Sequence, residues 1–357
     1  MRHARTSSTI AATAALLLLG AVPAFAHSGT DGQGGPTEPV TVAEHLAGPL
    51  TFDVAGKALY IGQNFSGTLT KVTKAGSTDL VGPNGLDLAA VSVADGVVTW
   101  GERSGDLGAA TSAVLHRMDK RGHTSTVDLL AYEVANNPDG TVEYGFQGLD
   151  PTCAATLPPE LAPHMGGVDS HPYGSVTTRG TTYVADAGMN AILAVDRRGN
   201  VRTVAVLPPA LVPVSAEAAA AFGLDPCVVG HDFALEGVPT DVEVGRHGEL
   251  IVSSLPGGPE DGSLGANGRV FSLDKRSGNL SLLASGLAGA TNVAVAPDGT
   301  IYVAELFADR VSAISPRTGD VTAVKTLTQP AGLEWSDGKL YVSTNVFGDG
   351  SVVSFTP

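Results

Sequence analysis

Only two of the 357 residues are cysteines, aromatic residues make up 5% and charged residues 16%, and 21 lysines and arginines face 36 aspartates and glutamates. Two thiols exclude a cysteine-rich zinc or disulfide scaffold. With a formal charge of −15, the chain lacks the basic clusters that hold phosphates, so nucleic acid and anionic membranes are excluded as partners. No apolar run reaches the roughly 18 residues of a membrane span. The GxSxG, CxxC, HExxH, phosphate-loop and EF-hand patterns are all missing, so no chemistry is declared by spacing alone.

What the sequence does hold is glycine, 45 residues of it, punctuating short alternating apolar runs. Between Ala288 and Leu327 four such runs, TNVAVA, TIYVAE, RVSAIS and VTAVKTL, are separated by the turn signals PDG, FAD and PRTGD. This is the pattern of a four-stranded antiparallel meander. Its second strand recurs as LYIGQ at 59–63, VTWGE at 98–102, TYVAD at 182–186, LIVSS at 250–254 and LYVST at 340–344. The tightest repeats are about 40 residues apart, the length of one propeller blade. A blade has two apolar faces and needs a copy of itself on each side. The expected fold is therefore all-β, a six-bladed β-propeller of four-stranded antiparallel blades.

The sixth unit ends at Pro357 without an outer strand, whereas PVTVAEHL at 39–46 matches the outer-strand segment GDVTAVKTL at 319–327. An N-terminal strand completing the last blade would close the ring. Before it, Arg2 and Arg5 precede the apolar run IAATAALLLLGAV, and Ala24, Phe25 and Ala26 form an AxA-type cleavage site. Residues 1–26 thus read as a secretory signal peptide and 27–38 as a flexible lead-in, leaving 39–357 as one propeller domain of a secreted protein. A monomer is expected.

Three insertions break the repeat, at about 132–170, 208–236 and 255–268. Blade-to-blade connections and second-to-third-strand connections emerge on the same side of a meander, so all three gather over one face, where binding loops usually reside. A degenerate seventh blade is the alternative for the first of them, because NPDGTVEYGFQ at 137–147 echoes APDGTIYVAEL; the GLDPTCAATLPPELAPHMGG that follows reads instead as loop and short helix. Cys153 and Cys227 fall in the first two insertions, and an exported chain with an even cysteine count favours a Cys153–Cys227 disulfide.

The stretches LLAYEVANNPDG at 129–140, DSHPYGSVTTRGTTYVADAGMNAILAVDRRG at 169–199, EGVPTDVEVGRHGELIVSSL at 236–255, ATNVAVAPDGTIYVAEL and GLEWSDGKLYVSTN give the chain a resemblance to the ScyD/ScyE family of secreted bacterial propellers. The resemblance spans nearly all of the chain after residue 26 and implies the propeller fold. It implies no set of catalytic residues.

Candidate site residues come from the repeat. Each second strand ends in one comparable position: Gln63, Glu102, Asp186, Ser254, Glu305 and Thr344. Glu102, Asp186 and Glu305 are oxygen donors suited to a divalent metal such as calcium, although the same residues suit capping of the next turn. Propellers of the gluconolactonase type, which this repeat resembles, hold such a metal in the channel, which would imply a metal-assisted hydrolase or lyase. The start of each inner strand gives a second ring, Thr51, Ala90, Gly174, Asp241, Asn292 and Gly332, in which Asp241 and Asn292 form a polar pair at the channel mouth. His171 and Tyr173 supply a rim for stacking on a ligand. His164, His171 and His231 with Asp169 and Asp232 form a further candidate cluster, should the cysteine-bearing insertions meet. The expected function is binding of a small ligand or an extracellular or envelope partner on the insertion-bearing face.

Overall fold

Alternation of apolar and polar residues sets the strands, and the Gly- and Asp-rich turns between them set the hairpins. The computed structural model describes residues 35–159, 161–258 and 265–357. Seven four-stranded antiparallel sheets account for all of the described strands. Six are arranged as the repeat predicts, and each is named here by its order along the chain. The first runs through Thr51–Ala55, Ala58–Gln63, Thr68–Thr73 and Gly76–Val81. The second holds Asp87–Ala94, Val97–Asp106, Ala109–Met118 and Thr124–Asp128, and the third Pro172–Thr178, Thr181–Asp186, Ala191–Val195 and Val201–Val206. The fourth and fifth begin with inner strands Pro239–Val244 and Ala290–Val295.

The sixth sheet has only three strands of its own, Leu333–Ser336, Lys339–Thr344 and Gly350–Phe355. Val40–Leu46 supplies the fourth, antiparallel to the last, with Val40 opposite Ser354 and Leu46 opposite Gly350. Thr37 extends the seam through its amide, which donates to the Thr356 carbonyl at 2.9 Å. The closing strand expected from the sequence is therefore present.

Inner strands meet their neighbours in the order first to sixth and back to the first. A separate apolar core fills each of the six interfaces, for example Ile192, Val242, Val252 and Phe271 between the third and fourth sheets and Leu46, Phe52, Ile61 and Val352 between the sixth and first. Burying each such side chain contributes about 1.5–3 kcal/mol, which is how a chain of this length is stabilised without one large core. Near the axis the strands approach so closely that side chains must vanish: a Cβ on Gly174 would sit 2.7 Å from Asp241 Cα.

The seventh sheet corresponds to the seventh-blade alternative only at Glu143–Phe146, within NPDGTVEYGFQ. It is built by the first two insertions together, in the order His164–Met165, Glu143–Phe146, Asp232–Leu235, Ala210–Pro213. The segment after Phe146 contains a short helix, Pro151–Ala154, as expected, but His164 and Met165, read as loop, pair with Tyr144 and Glu143, and Gly145 and Phe146 pair with Ala234 and Phe233, far along the chain. Such pairing leaves no hairpin signal. A helix at Leu129–Asn136 leads into it, capped by Asp128, which accepts from the Ala131 amide, and stopped by left-handed Asn137 before Pro138.

Candidate functional site

The two insertions are held by the disulfide between Cys153 and Cys227, whose Cα atoms are 5.8 Å apart. Around it Phe146, Ala219, Val228 and Phe233 form a small core of their own, with the Phe146 and Phe233 rings meeting edge to face at 5.0 Å. Beside that core lies an open cavity of about 400 Å³. Phe146, Leu161, Val212, Phe222, Leu224 and Phe233 wall it, Gly257 and Gly258 of the third insertion close one edge, and Tyr144, His164 and Glu236 add polar groups. All three insertions thus meet at one apolar cavity of the size that holds a small molecule. Phe222 is 58% exposed, a large apolar surface left uncovered. Larger grooves of about 500 and 760 Å³ lie among hairpin ends such as 245–249 and 315–319; the first mixes Ile251, Val295, Ile301 and Ile314 with Arg246, Glu249, Asp298 and Arg317, and the second is lined chiefly by charged and polar side chains.

Behind the cavity the polar groups form a chain. The Tyr144 hydroxyl donates to Asp139 at 3.1 Å, and the Asn190 amide donates to the same carboxylate at 2.8 Å. Asn190 is left-handed and buried, and its own oxygen accepts from the Val238 amide at 3.0 Å. One side chain thereby ties the third sheet to the first insertion and to the segment that leads into the fourth sheet. Burial, then the charge of Asp139, raises the pKa of Glu236, and burial raises that of Asp139. Glu133, fully buried on the preceding helix, is pushed up to about 8 by burial and then by the charges of Asp139, Asp186 and Asp169.

A second concentration of acids lies on the ring axis. Asp53 on the first inner strand, Asp241 and Glu243 on the fourth and Glu334 on the sixth sense one another's charge, although the first and fourth sheets are opposite in the circuit. They therefore converge on the axis. Burial chiefly, and mutual repulsion for Asp241, Glu243 and Glu334, raises them, Asp53 to about 6 and Asp241 to about 7. Asp53, Glu243 and Glu334 escaped the sequence reading. Their signal was an acid at or near the middle of an inner strand, in TFDVA, TDVEV and LEWS.

The residues expected at the channel mouth have structural partners. Asp241 accepts from the Val293 amide at 3.1 Å and Asn292 from the Leu333 amide at 2.9 Å, each clasping its inner strand to the next sheet. Thr240 does the same through the Ala290 carbonyl. His171 stands 2.8 Å from Asp87 as an ion pair and meets the Tyr173 ring edge to face at 5.6 Å. Burial opposes the charge on Asp87, but His171 and Asn64 outweigh it and hold its pKa low.

Glu102, Asp186 and Glu305 are not brought together as a metal set. Among the described residues, no three His, Cys, Asp or Glu side chains are grouped to hold a metal ion. Each of these carboxylates is consumed locally. Asp186 accepts from Ser170 and from the His171 and Met189 amides. Glu305 is gripped by Arg310 through two nitrogens and by the Ala288 amide, and Glu102 pairs with His116 at 3.3 Å and Trp100. Single acids at the ends of three of the six second strands are spread around the rim, which is why the ring position alone misleads. The histidine cluster is likewise dispersed: His231 contacts the Gln147 carbonyl, His164 the Ala162 carbonyl and the Tyr144 ring, and Asp169 is engaged by Arg103.

No family model matches the chain, and no curated protein matches it. Among solved structures it is similar to a gluconolactonase from Xanthomonas campestris, at 10% identity and a TM-score of 0.52 over 89% of each chain. It is similar to an auxiliary nutrient binding protein from Bacteroides thetaiotaomicron, at 6% identity and 0.53 over 90% of this chain and 74% of that one. A PQQ-bound aldose sugar dehydrogenase from Streptomyces coelicolor gives 16% and 0.50, covering 90% and 99%. At these identities the likeness establishes a β-propeller fold and carries no activity across.

Proposed function

We propose that this is an exported, monomeric, six-bladed propeller that binds a small amphiphilic molecule in the cavity where its three insertions meet. The observation that carries the reading is that cavity, apolar along its walls and polar at Tyr144, His164 and Glu236. The acids Glu236 and Asp139 favour a ligand whose polar end is a hydrogen-bond donor or an amine. Export rests on residues 1–26, which lie outside the described residues, and a disulfide fits that address. Membership of the ScyD/ScyE family rests on the quoted stretches.

The test is a thermal-shift screen with amphiphilic amines and alcohols, repeated on Phe222→Ser and His164→Ala. A shift of several degrees that both variants lose is expected. A shift retained by both and lost in Tyr173→Ala would move the site to His171, Tyr173, Asp241 and Asn292 at the channel mouth.

That channel supports a second reading, a hydrolase or lyase acting on a small molecule at the axis. It is favoured by Asp53 and Asp241, whose pKa values near neutrality suit proton transfer. Turnover of a lactone panel that is unchanged in Asp241→Asn would count against it.

A further inference from the structure

Four buried oxygen atoms without a hydrogen-bond partner lie within one helix end and the turn after it: both carboxylate oxygens of Glu133, Oδ1 of Asn137 and Oδ1 of Asp139. Glu133 and Asp139 are 0% and 1% exposed. Leaving a buried acceptor unmatched costs about 1–3 kcal/mol, more when it is charged, so four together demand a common partner. In Asn137 and Asp139 the other polar atom is engaged: Asp139 Oδ2 accepts from Asn190 and Tyr144, and Asn137 Nδ2 donates to the Gly166 carbonyl at 3.2 Å.

Further features fit a cation. Every orphan here is an oxygen acceptor, the donor type of calcium, which takes six to eight oxygens from carboxylates, amide carbonyls, backbone and water. Residues 133, 137 and 139 belong to one short stretch, AYEVANNPDG, so a single local fold presents them. Gly166 keeps the space open, since a Cβ there would meet the Asp139 carboxyl atoms at 2.4–2.5 Å. Only the Asp169 backbone amide favours the charge of Glu133, while the charges of Asp139, Asp186 and Asp169 add to the negative field around it. Arg103 is spent on Asp169 and on backbone carbonyls.

We propose that Glu133, Asn137 and Asp139 hold a divalent cation of the calcium type, completed by backbone carbonyls and water. The site differs from the rim carboxylates Glu102, Asp186 and Glu305. It uses two carboxylates and an amide oxygen rather than three acids. Its place in the fold gives it a role, because Asp139 is also the group through which Asn190 connects the first insertion to the third sheet. Bound calcium would fix the start of the first insertion against the ring.

The experiment uses the full chain, stripped with a chelator and titrated with calcium chloride and, separately, magnesium chloride, read by isothermal calorimetry and thermal unfolding. One equivalent of calcium and a rise of several degrees are expected, with magnesium at least tenfold weaker. Glu133→Gln and Asn137→Ala should each weaken calcium binding tenfold or more. Asn137 is only partly buried, so its variant tests the site even if the other folds poorly. Absence of a calcium shift in the unaltered protein would overturn the proposal and assign the oxygens to protons and trapped water. Full binding in both variants would overturn it equally, by placing the ion elsewhere.

Discussion

The ring and the insertion sheet solve the same packing problem in different ways. In the ring, each sheet is clasped to the next by short polar links, Thr240 to Ala290, Asp241 to Val293 and Asn292 to Leu333, and each interface has an apolar core. The insertion sheet has one small core, a single covalent tie between Cys153 and Cys227, and an apolar cavity open to solvent. Half of the unpartnered buried side-chain atoms among the described residues belong to Glu133, Asn137 and Asp139, where the chain enters that sheet. Repetition yields a closed scaffold whose unpartnered atoms, on Thr51, Asn64, His171 and Arg269, are scattered, whereas those at the entry to the sheet assembled from distant segments are concentrated. Unfilled valences are what a ligand or an ion can use.

The contrast can be broken most severely at the seam. Deleting residues 40–46 removes the outer strand of the sixth sheet and exposes the core around Leu46 and Val352. A loss of more than about 5 kcal/mol and of cooperative unfolding is expected by calorimetry. An unchanged melting profile would mean that the ring does not depend on closure.

Replacing both Cys153 and Cys227 with serine opens a 74-residue loop. The chain-entropy cost is about 4 kcal/mol. Because the tie lies within the insertion sheet, hydrogen exchange should rise there first, with the six-sheet ring still protected. Uniform loss of protection would erase the distinction drawn above.

A smaller effect concerns pH. The folded-state pKa values of Asp53 and Asp241, about 6 and 7, are raised above the ordinary value of 3.8. Folding therefore gains most from them below about pH 4, and the gain is lost as pH rises through 6 and 7. Asp241→Asn keeps an acceptor for Val293 and removes a charge, so it should stabilise the ring by about 1 kcal/mol at pH 8 and by nothing at pH 4. Asp241→Ala should destabilise at both, by about 1–2 kcal/mol. The smallest expected change is in Phe222→Ser. Its stability should stay within about 0.5 kcal/mol of the unaltered protein, because the side chain is mostly exposed.

The same division explains what could be read in advance. The ring was legible because its strands pair with their neighbours in sequence, and each turn announces itself through residues such as Pro297, Asp298 and Gly299. The disulfide was legible from thiol count and address. The seventh sheet was legible only in its strand Glu143–Phe146, inside NPDGTVEYGFQ, because that strand pairs with Asp232–Leu235 some 90 residues on and no hairpin joins the two. The rim acids were over-read: Asp186, Glu305 and Glu102 occupy repeat positions, but turn amides, Arg310 and His116 had prior claim on them. The axial acids were under-read because a lone Glu243 or Glu334 in a strand carries no motif. Only the meeting of opposite strands at the axis gives them neighbours.

The pairing of Val40–Leu46 with Gly350–Phe355 also orders events in time. The strand made early in synthesis must wait, edge exposed, for a segment made much later. Until then two apolar sheet surfaces lack their mates, and any partly threaded chain is vulnerable to sticking or cleavage. The ring can therefore snap shut only once both of these distant strands are free to meet.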